Sequence, residues 1–138
     1  MLTETFTTPL RVFVADDDED MLALVSEALQ AHGCVTQEAR DGAELLELLI
    51  RAQDEPALFP DVIVADVKMP RLSGLGVLAA LKRASWAVPV IMITVVTDAS
   101  VHDVARRNGA VGVLHKPFDP DDLVTAVHNA TAFRDLHR

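Results

Sequence analysis

Short β-branched runs alternate five times along the chain with stretches in which apolar residues recur every three or four positions. A run of four or five residues rich in Val and Ile, bounded by turn residues, fits a strand covered on both faces; the wider spacing fits a helix with one face on a core. The runs predict strands at 12–15, 35–39, 62–65, 90–94 and 111–114. Core-facing helical stripes are predicted from Leu22, Val25 and Leu29; Leu45, Leu48 and Leu49; Leu75, Leu78 and Leu81; Val101, Val104 and Ala105; and Leu123, Val127, Ala130 and Phe133. Turn chemistry marks the boundaries independently. Gly33 stands where the first helix should stop, Asp41-Gly42 opens the second, Ser73-Gly74 precedes the third and Asn108-Gly109 closes the fourth. The longest connection, "RAQDEPALFPD" at 51–61, holds Pro56 and Pro60, which forbid continued helix, and is expected to run over the surface. Five strand-and-helix units predict an α/β fold, a doubly wound parallel sheet with helices on both faces.

A chain of 138 residues suffices for one core. Residues 10–138 are expected to form it as a single domain, behind a flexible segment at 1–9. Lys and Arg number 12 against 21 Asp and Glu, and the net charge of −9 speaks against a general surface that grips nucleic acid. The opening "MLTETFTTP" has no basic start or apolar run, and no segment reaches about 18 uninterrupted apolar residues, so a soluble cytoplasmic protein without membrane contact is expected. Cys34 is the only cysteine, which excludes an intrachain disulfide and a thiolate-only metal site.

The first strand, "RVFVA", runs straight into five acids, Asp16, Asp17, Asp18, Glu19 and Asp20. Two carboxylates about 5 Å apart repel by roughly 1 kcal/mol in water and by several times that in a lower dielectric. Acids clustered at a strand end therefore suggest a cation. A solvated helix start, favoured by the helix dipole, accounts for Asp18, Glu19 and Asp20. A calcium loop is a second reading, because Asp16, Asp18, Asp20 and Glu27 match an EF-hand spacing; Met21 where that loop needs a glycine turn, and a strand where it needs a helix, weigh against it. The third reading uses the whole sheet, since sites in open parallel sheets form beyond the carboxyl ends of strands where the strand order reverses. Asp16 and Asp17 follow the first strand, Asp66 the third and Lys116 the fifth, while Thr94 ends the fourth. Three carboxylates, a hydroxyl and an ammonium would converge.

Paired acids after strand one, a lone Asp before "VKMP" after strand three, a Thr ending strand four and Lys-Pro after strand five together resemble the receiver domain of bacterial response regulators. The resemblance spans Leu10 to about Phe133 with every motif in order. It implies a flavodoxin-like fold with strand order 2-1-3-4-5, and phosphoryl transfer onto Asp66 from a sensor histidine kinase or a His phosphotransfer protein. A carboxylate can attack phosphorus and form an acyl phosphate if the phosphoryl charge is neutralised as the bond forms. By resemblance, Mg²⁺ is the cofactor: Asp17 and Asp66 would bind it directly, Asp16 through water and Lys68 through its backbone carbonyl. Lys116 would pair with one phosphoryl oxygen and Thr94 with another. A cis bond before Pro117 and a turn shaped by Met69 and Pro70 are further implications. The family's members signal and are not metabolic enzymes; a downstream protein or output domain, and a homodimer through the fourth helix, fifth strand and fifth helix, are the partners implied.

Two positions depart from the family. Val113 stands where similar receivers carry Tyr or Phe, and Val95 where a small residue usually follows the Thr. The usual relay, in which the aromatic turns with the Thr, is thereby in doubt, while the phosphorylation chemistry is untouched. An aspartate-nucleophile phosphatase is the rival from another class, but it would need a second Asp two residues after Asp66, where Lys68 stands. A receiver-like module that no longer takes phosphate would lack an acid or the Lys, and all are present. His32, His102, His115, His128 and His137 show no metal-ligand spacing and are expected on the solvated surface, His115 lying next to Lys116.

Overall fold

A computed structural model of the chain describes residues 8–95 and 99–136, without the side chains of 99 and 133–136. The expected flexible segment at 1–9, the packing of Phe133, and His137 therefore fall wholly or largely outside the described residues. The elements are β1 (Arg11–Ala15), α1 (Glu19–Gln30), β2 (Val35–Ala39), α2 (Gly42–Ala52), β3 (Val62–Asp66), α3 (Gly74–Ala84), β4 (Val90–Thr94), α4 (Ala99–Arg107), β5 (Gly112–His115) and α5 (Pro120–Leu136). All five strands are parallel in one sheet of order β2-β1-β3-β4-β5.

Alternation along the strands divides the core between the two faces. Phe13, Ile63, Ala65 and Met92 point to the side covered by α2 and α3, where Leu45, Leu49, Val77, Leu78 and Leu81 meet them. Val12, Val14, Val64, Ile91 and Ile93 point to the other side, against Leu22, Val25 and Leu29 of α1 and Leu123 and Val127 of α5. Burying one such side chain contributes about 1.5–3 kcal/mol, so the two layers hold the strand ends in fixed register. β3 and β4 are buried throughout, which explains their uninterrupted apolar runs. β2, at the sheet edge, is largely exposed.

The boundary signals act as expected. Asp41 accepts a hydrogen bond from the Glu44 N–H and caps α2, Ser73 accepts from the Gly76 N–H and caps α3, and Gly33 and Gly109 take positive φ after α1 and α4. Some details differ. α2 continues to Ala52, so the connection begins two residues later than Arg51. β5 starts at Gly112, because Val111 bonds the Val90 carbonyl only at the mouth of the ladder. Val104 is 37% exposed rather than core-facing, and Val77 joins the α3 stripe. Among the described residues no helix is long and apolar enough to cross a membrane.

Candidate functional site

Because β1 and β3 are neighbours and the helices that follow them, α1 and α3, leave on opposite faces, a crevice opens beyond their carboxyl ends. The five acids divide the work there. Asp16 is 2% exposed; its N–H continues the ladder to the Ala39 carbonyl at 3.1 Å, and its Oδ1 accepts the Asp18 N–H at 2.9 Å. Asp18 in turn caps α1 by accepting from Asp20 and Met21, and Glu19 and Asp20 fill the first turn, as the helix-start reading has it. Asp17 is exposed but keeps a carboxylate oxygen at the crevice.

β3 delivers Asp66, 8% exposed, whose Oδ1 accepts the Lys68 N–H at 3.1 Å. β4 ends in Thr94, 1% exposed, and pairs Thr94 with His115 of β5. Lys116 follows, its N–H on the Thr94 carbonyl at 2.8 Å and its bond to Pro117 cis. Its Nζ donates to Asp16 Oδ2 and Asp66 Oδ2, both at 2.8 Å. Four of the five predicted side chains, Asp16, Asp17, Asp66 and Lys116, are thus in one constellation, with Thr94 on the adjoining strand.

Charge balance in the crevice follows from burial. Burial pushes the Asp16 carboxyl above its ordinary range, and the hydrogen bond from Lys116 only partly offsets this. For Lys116 burial pulls the ammonium down, but the hydrogen bonds to Asp16 and Asp66 together outweigh it and the net direction is up. The ammonium is therefore firmly charged. Oxygens of Asp16, Asp17 and Asp66 lie within 4.8 Å of one another, a set of hard, anionic donors suited to a small divalent cation that keeps part of its water. The calcium-loop spacing is not assembled this way: Asp18 is spent on the helix cap.

The segment from Val67 to Ser73 is fixed at both ends. The Gly74 N–H bonds the Val67 carbonyl at 2.9 Å, and a Cβ on Gly74 would stand 2.3 Å from the Asp66 carbonyl oxygen. At the other end the Gly42 N–H bonds the Leu72 carbonyl at 3.1 Å, and a Cβ there would meet that oxygen at 2.2 Å. Arg71, at φ 65°, sends Nε and Nη2 to Asp41 Oδ2 and Oδ1 at 3.0 and 3.2 Å. The Arg71 guanidinium, with the Glu44 N–H, holds the Asp41 carboxyl below its ordinary range. Nothing in the sequence flags this pair, which lies thirty positions apart. Of the described histidines, His32, His115 and His128 are exposed and His102 is half-buried; His102 of α4 and His115 meet through their Nε2 atoms with stacked rings.

An open α/β sheet of order 2-1-3-4-5 with acids and a lysine gathered at its carboxyl edge defines a class of phosphate-handling signalling module. Residues 12–128 match the response regulator receiver domain, and the chain belongs to that family. It is 34% identical over 119 residues to the DNA-binding transcriptional regulator NtrC of Escherichia coli K12, covering 86% of this chain and 24% of NtrC. It is 34% identical over 131 residues to the transcriptional regulatory protein PdtaR of Mycobacterium tuberculosis H37Rv, covering 93% of this chain and 60% of PdtaR. The chain thus spans about a quarter of NtrC. Among solved structures, a response regulator receiver domain protein from Clostridium thermocellum superposes with a TM-score of 0.82 at 28% identity, over 94% of this chain and 99% of that one. The chemotaxis response regulator CheY4 of Vibrio cholerae gives 0.77 at 31% identity, over 89% and 99%. Receiver domains are phosphoacceptor modules of two-component signalling, phosphorylated by histidine kinases, and not metabolic enzymes; the Asp16, Asp17 and Asp66 triad is typical of their Mg²⁺ site.

Proposed function

We propose that Asp66 is the phosphoacceptor. In the step, a carboxylate oxygen of Asp66 bonds to phosphorus while the phosphorus–nitrogen bond of a phosphohistidine breaks; the electron pair returns to the imidazole and an acyl phosphate remains. The donor is a sensor histidine kinase or a His phosphotransfer protein. Asp66 suits the role because it is held at a strand end with Oδ1 on the Lys68 N–H and Oδ2 on the Lys116 ammonium. That contact between Asp66 and Lys116, inside the acid triad, carries the reading. Lys116 can follow the negative charge from the carboxylate to a phosphoryl oxygen with little movement.

Asp17 and Asp66 would hold Mg²⁺ directly, Asp16 through water, and the Lys68 carbonyl would complete the protein ligands. When bound, Mg²⁺ neutralises charge on the transferring phosphoryl group. Thr94 would donate its hydroxyl to the phosphate once formed, and Val113, too small to follow it, would stay nearly passive. The change is then carried by residues 95–100 and the start of α4. Of these, 96–98 lie outside the described residues. The face of α4, β5 and α5 would meet a downstream protein, an output domain or a second copy, in the cytoplasm, without nucleic-acid contact of its own; residues 10–138 would act as one domain.

Intact-mass measurement after incubation with a small phosphodonor and Mg²⁺ tests the assignment. One phosphoryl group is expected on the wild type and none on Asp66→Asn, since an amide is a poor nucleophile. Equal phosphorylation of both proteins contradicts it.

A further inference from the structure

Arg71 is an unusual residue to find at φ 65°, the left-handed region that L side chains other than Asn and Asp seldom enter. Its side chain gains no burial there, being 59% exposed. What the conformation provides is aim: the guanidinium meets Asp41 with two donors on two oxygens, the geometry in which a planar fork is fixed in orientation as well as position. Asp41 is itself tied to a buried helix. It caps α2 through the Glu44 N–H at 2.8 Å, and α2 is rooted in the core by Leu45 and Leu49. A second link, from the Gly42 N–H to the Leu72 carbonyl, runs beside the ion pair. The segment tied down in this way is the one that leaves Asp66 and carries Lys68.

We infer that Arg71 and Asp41 form a positioning clamp that sets the Asp66–Lys68 segment for its cation before the cation arrives. The inference rests on the phosphoacceptor reading for its consequence, but the clamp acts on cation affinity first. Holding donors in place beforehand removes an ordering cost from binding and leaves the bound state unchanged. Loss of the clamp should therefore raise the Mg²⁺ concentration required and leave the phosphorylation rate at saturating Mg²⁺ unaltered. A surface ion pair that merely adds stability would move neither quantity.

Three substitutions separate the elements of the clamp. Arg71→Gly removes the fork and also relieves the backbone, so it exposes any explanation based on strain alone. Arg71→Lys keeps the charge without the fork. Asp41→Asn keeps an oxygen for the Glu44 N–H and loses the ion pair. Arg40→Gln, which removes an exposed pair with Glu19 at 3.5 Å, is the control. Titration calorimetry with MgCl₂, alongside initial phosphorylation rates across Mg²⁺ concentrations, reads both quantities. The expected result is a Kd for Mg²⁺ raised about 3- to 10-fold in each clamp variant, below the 10–100-fold usual for groups that touch metal ligands directly. The double variant Arg71→Gly with Asp41→Asn should be no weaker than the worse single one. Rates at saturating Mg²⁺ should agree within about twofold, and the control should match wild type. Unchanged Kd in the clamp variants, full rescue by Arg71→Lys, or a lowered saturating rate with unchanged Kd overturns the clamp. If the Kd values shift as expected while wild type takes no phosphoryl group on Asp66, the phosphoacceptor reading falls and the clamp stands as part of a cation site.

Discussion

α3 and α4 each follow a strand that ends at the carboxyl edge of the sheet, β3 at Asp66 and β4 at Thr94, yet they are held very differently. α3 is capped by Ser73, buries Gly74, Val77, Leu78 and Leu81, and is preceded by a segment pinned to α2. On α4, among the described residues, only Ala105 is buried, Val104 is 37% exposed, and the polar tie to β5 is the contact of His102 with His115. Elements with few buried apolar contacts open and shift at low free-energy cost. One half of the crevice is thus held by a well-buried helix, as the proposed chemistry on Asp66 would require, and the other by a shallowly packed one, as the proposed switching would require.

The firmest side should be the easiest to damage. Gly74→Ala puts a Cβ 2.3 Å from both the Asp66 carbonyl oxygen and Met92 Cε, and the backbone cannot yield without moving Asp66. A loss of about 3 kcal/mol in urea unfolding is expected, the upper end of overpacking costs. The matching change on the other half, Gly112→Ala, meets only Ile91 Cγ1 at 3.9 Å and should stay within about 0.5 kcal/mol of wild type. Similar losses from the two changes would erase the contrast.

Asp16 links the halves through Lys116 and gives a smaller, signed effect. Burial raises its folded-state pKa, so its contribution to stability is full below the unfolded value and lost as pH rises through the folded one. The ionised form is therefore the one that burial disfavours in the folded protein. Asp16→Asn keeps an oxygen for the Asp18 N–H and should raise the melting temperature of the Mg²⁺-free protein by a few degrees, while shrinking the further rise that Mg²⁺ brings. Thermal unfolding with and without Mg²⁺ at neutral pH shows whether the two effects have opposite signs.

Asp41 carries the reverse sign. Its carboxyl is held below the ordinary value of 3.8, first by the Arg71 hydrogen bonds, so its contribution is present above that value and lost as pH falls through the folded one. The stability gap between wild type and Asp41→Asn should be constant from about pH 5 to neutrality and close as pH drops below the ordinary carboxylate range. Unfolding curves over a pH series read it directly. The smallest effect is expected from His102→Ala, which should lie within about 0.5 kcal/mol of wild type but speed amide exchange in residues 99–107. Slower or unchanged exchange there would mean that the imidazole contact does not tether α4.

Much of this was legible in the residue pattern, for identifiable reasons. β3 and β4 are buried on both faces, so their apolar runs are unbroken and their ends at Asp66 and Thr94 stand out. Asp41, Ser73, Gly33 and Gly109 mark boundaries through local chemistry that needs no tertiary context. Val104 misled because helical spacing gives a face but not its depth, and α4 lies shallow on the sheet. The clamp left no trace, because Arg71 in a turn and Asp41 at a helix start each have a sufficient local explanation. Only the fold brings them to 3.0 Å. His102 and His115 were hidden likewise, one on a helix and one at a strand end.

Amide hydrogen exchange in saturating Mg²⁺, with and without beryllofluoride as a mimic of the phosphoryl group, tests the division between a fixed and a movable half most directly. The expected result is altered protection that extends through residues 95–108, with little change in the body of α3 at 77–84. Changes confined to residues 16–20 and 66–74, with 95–108 unaffected, would contradict it.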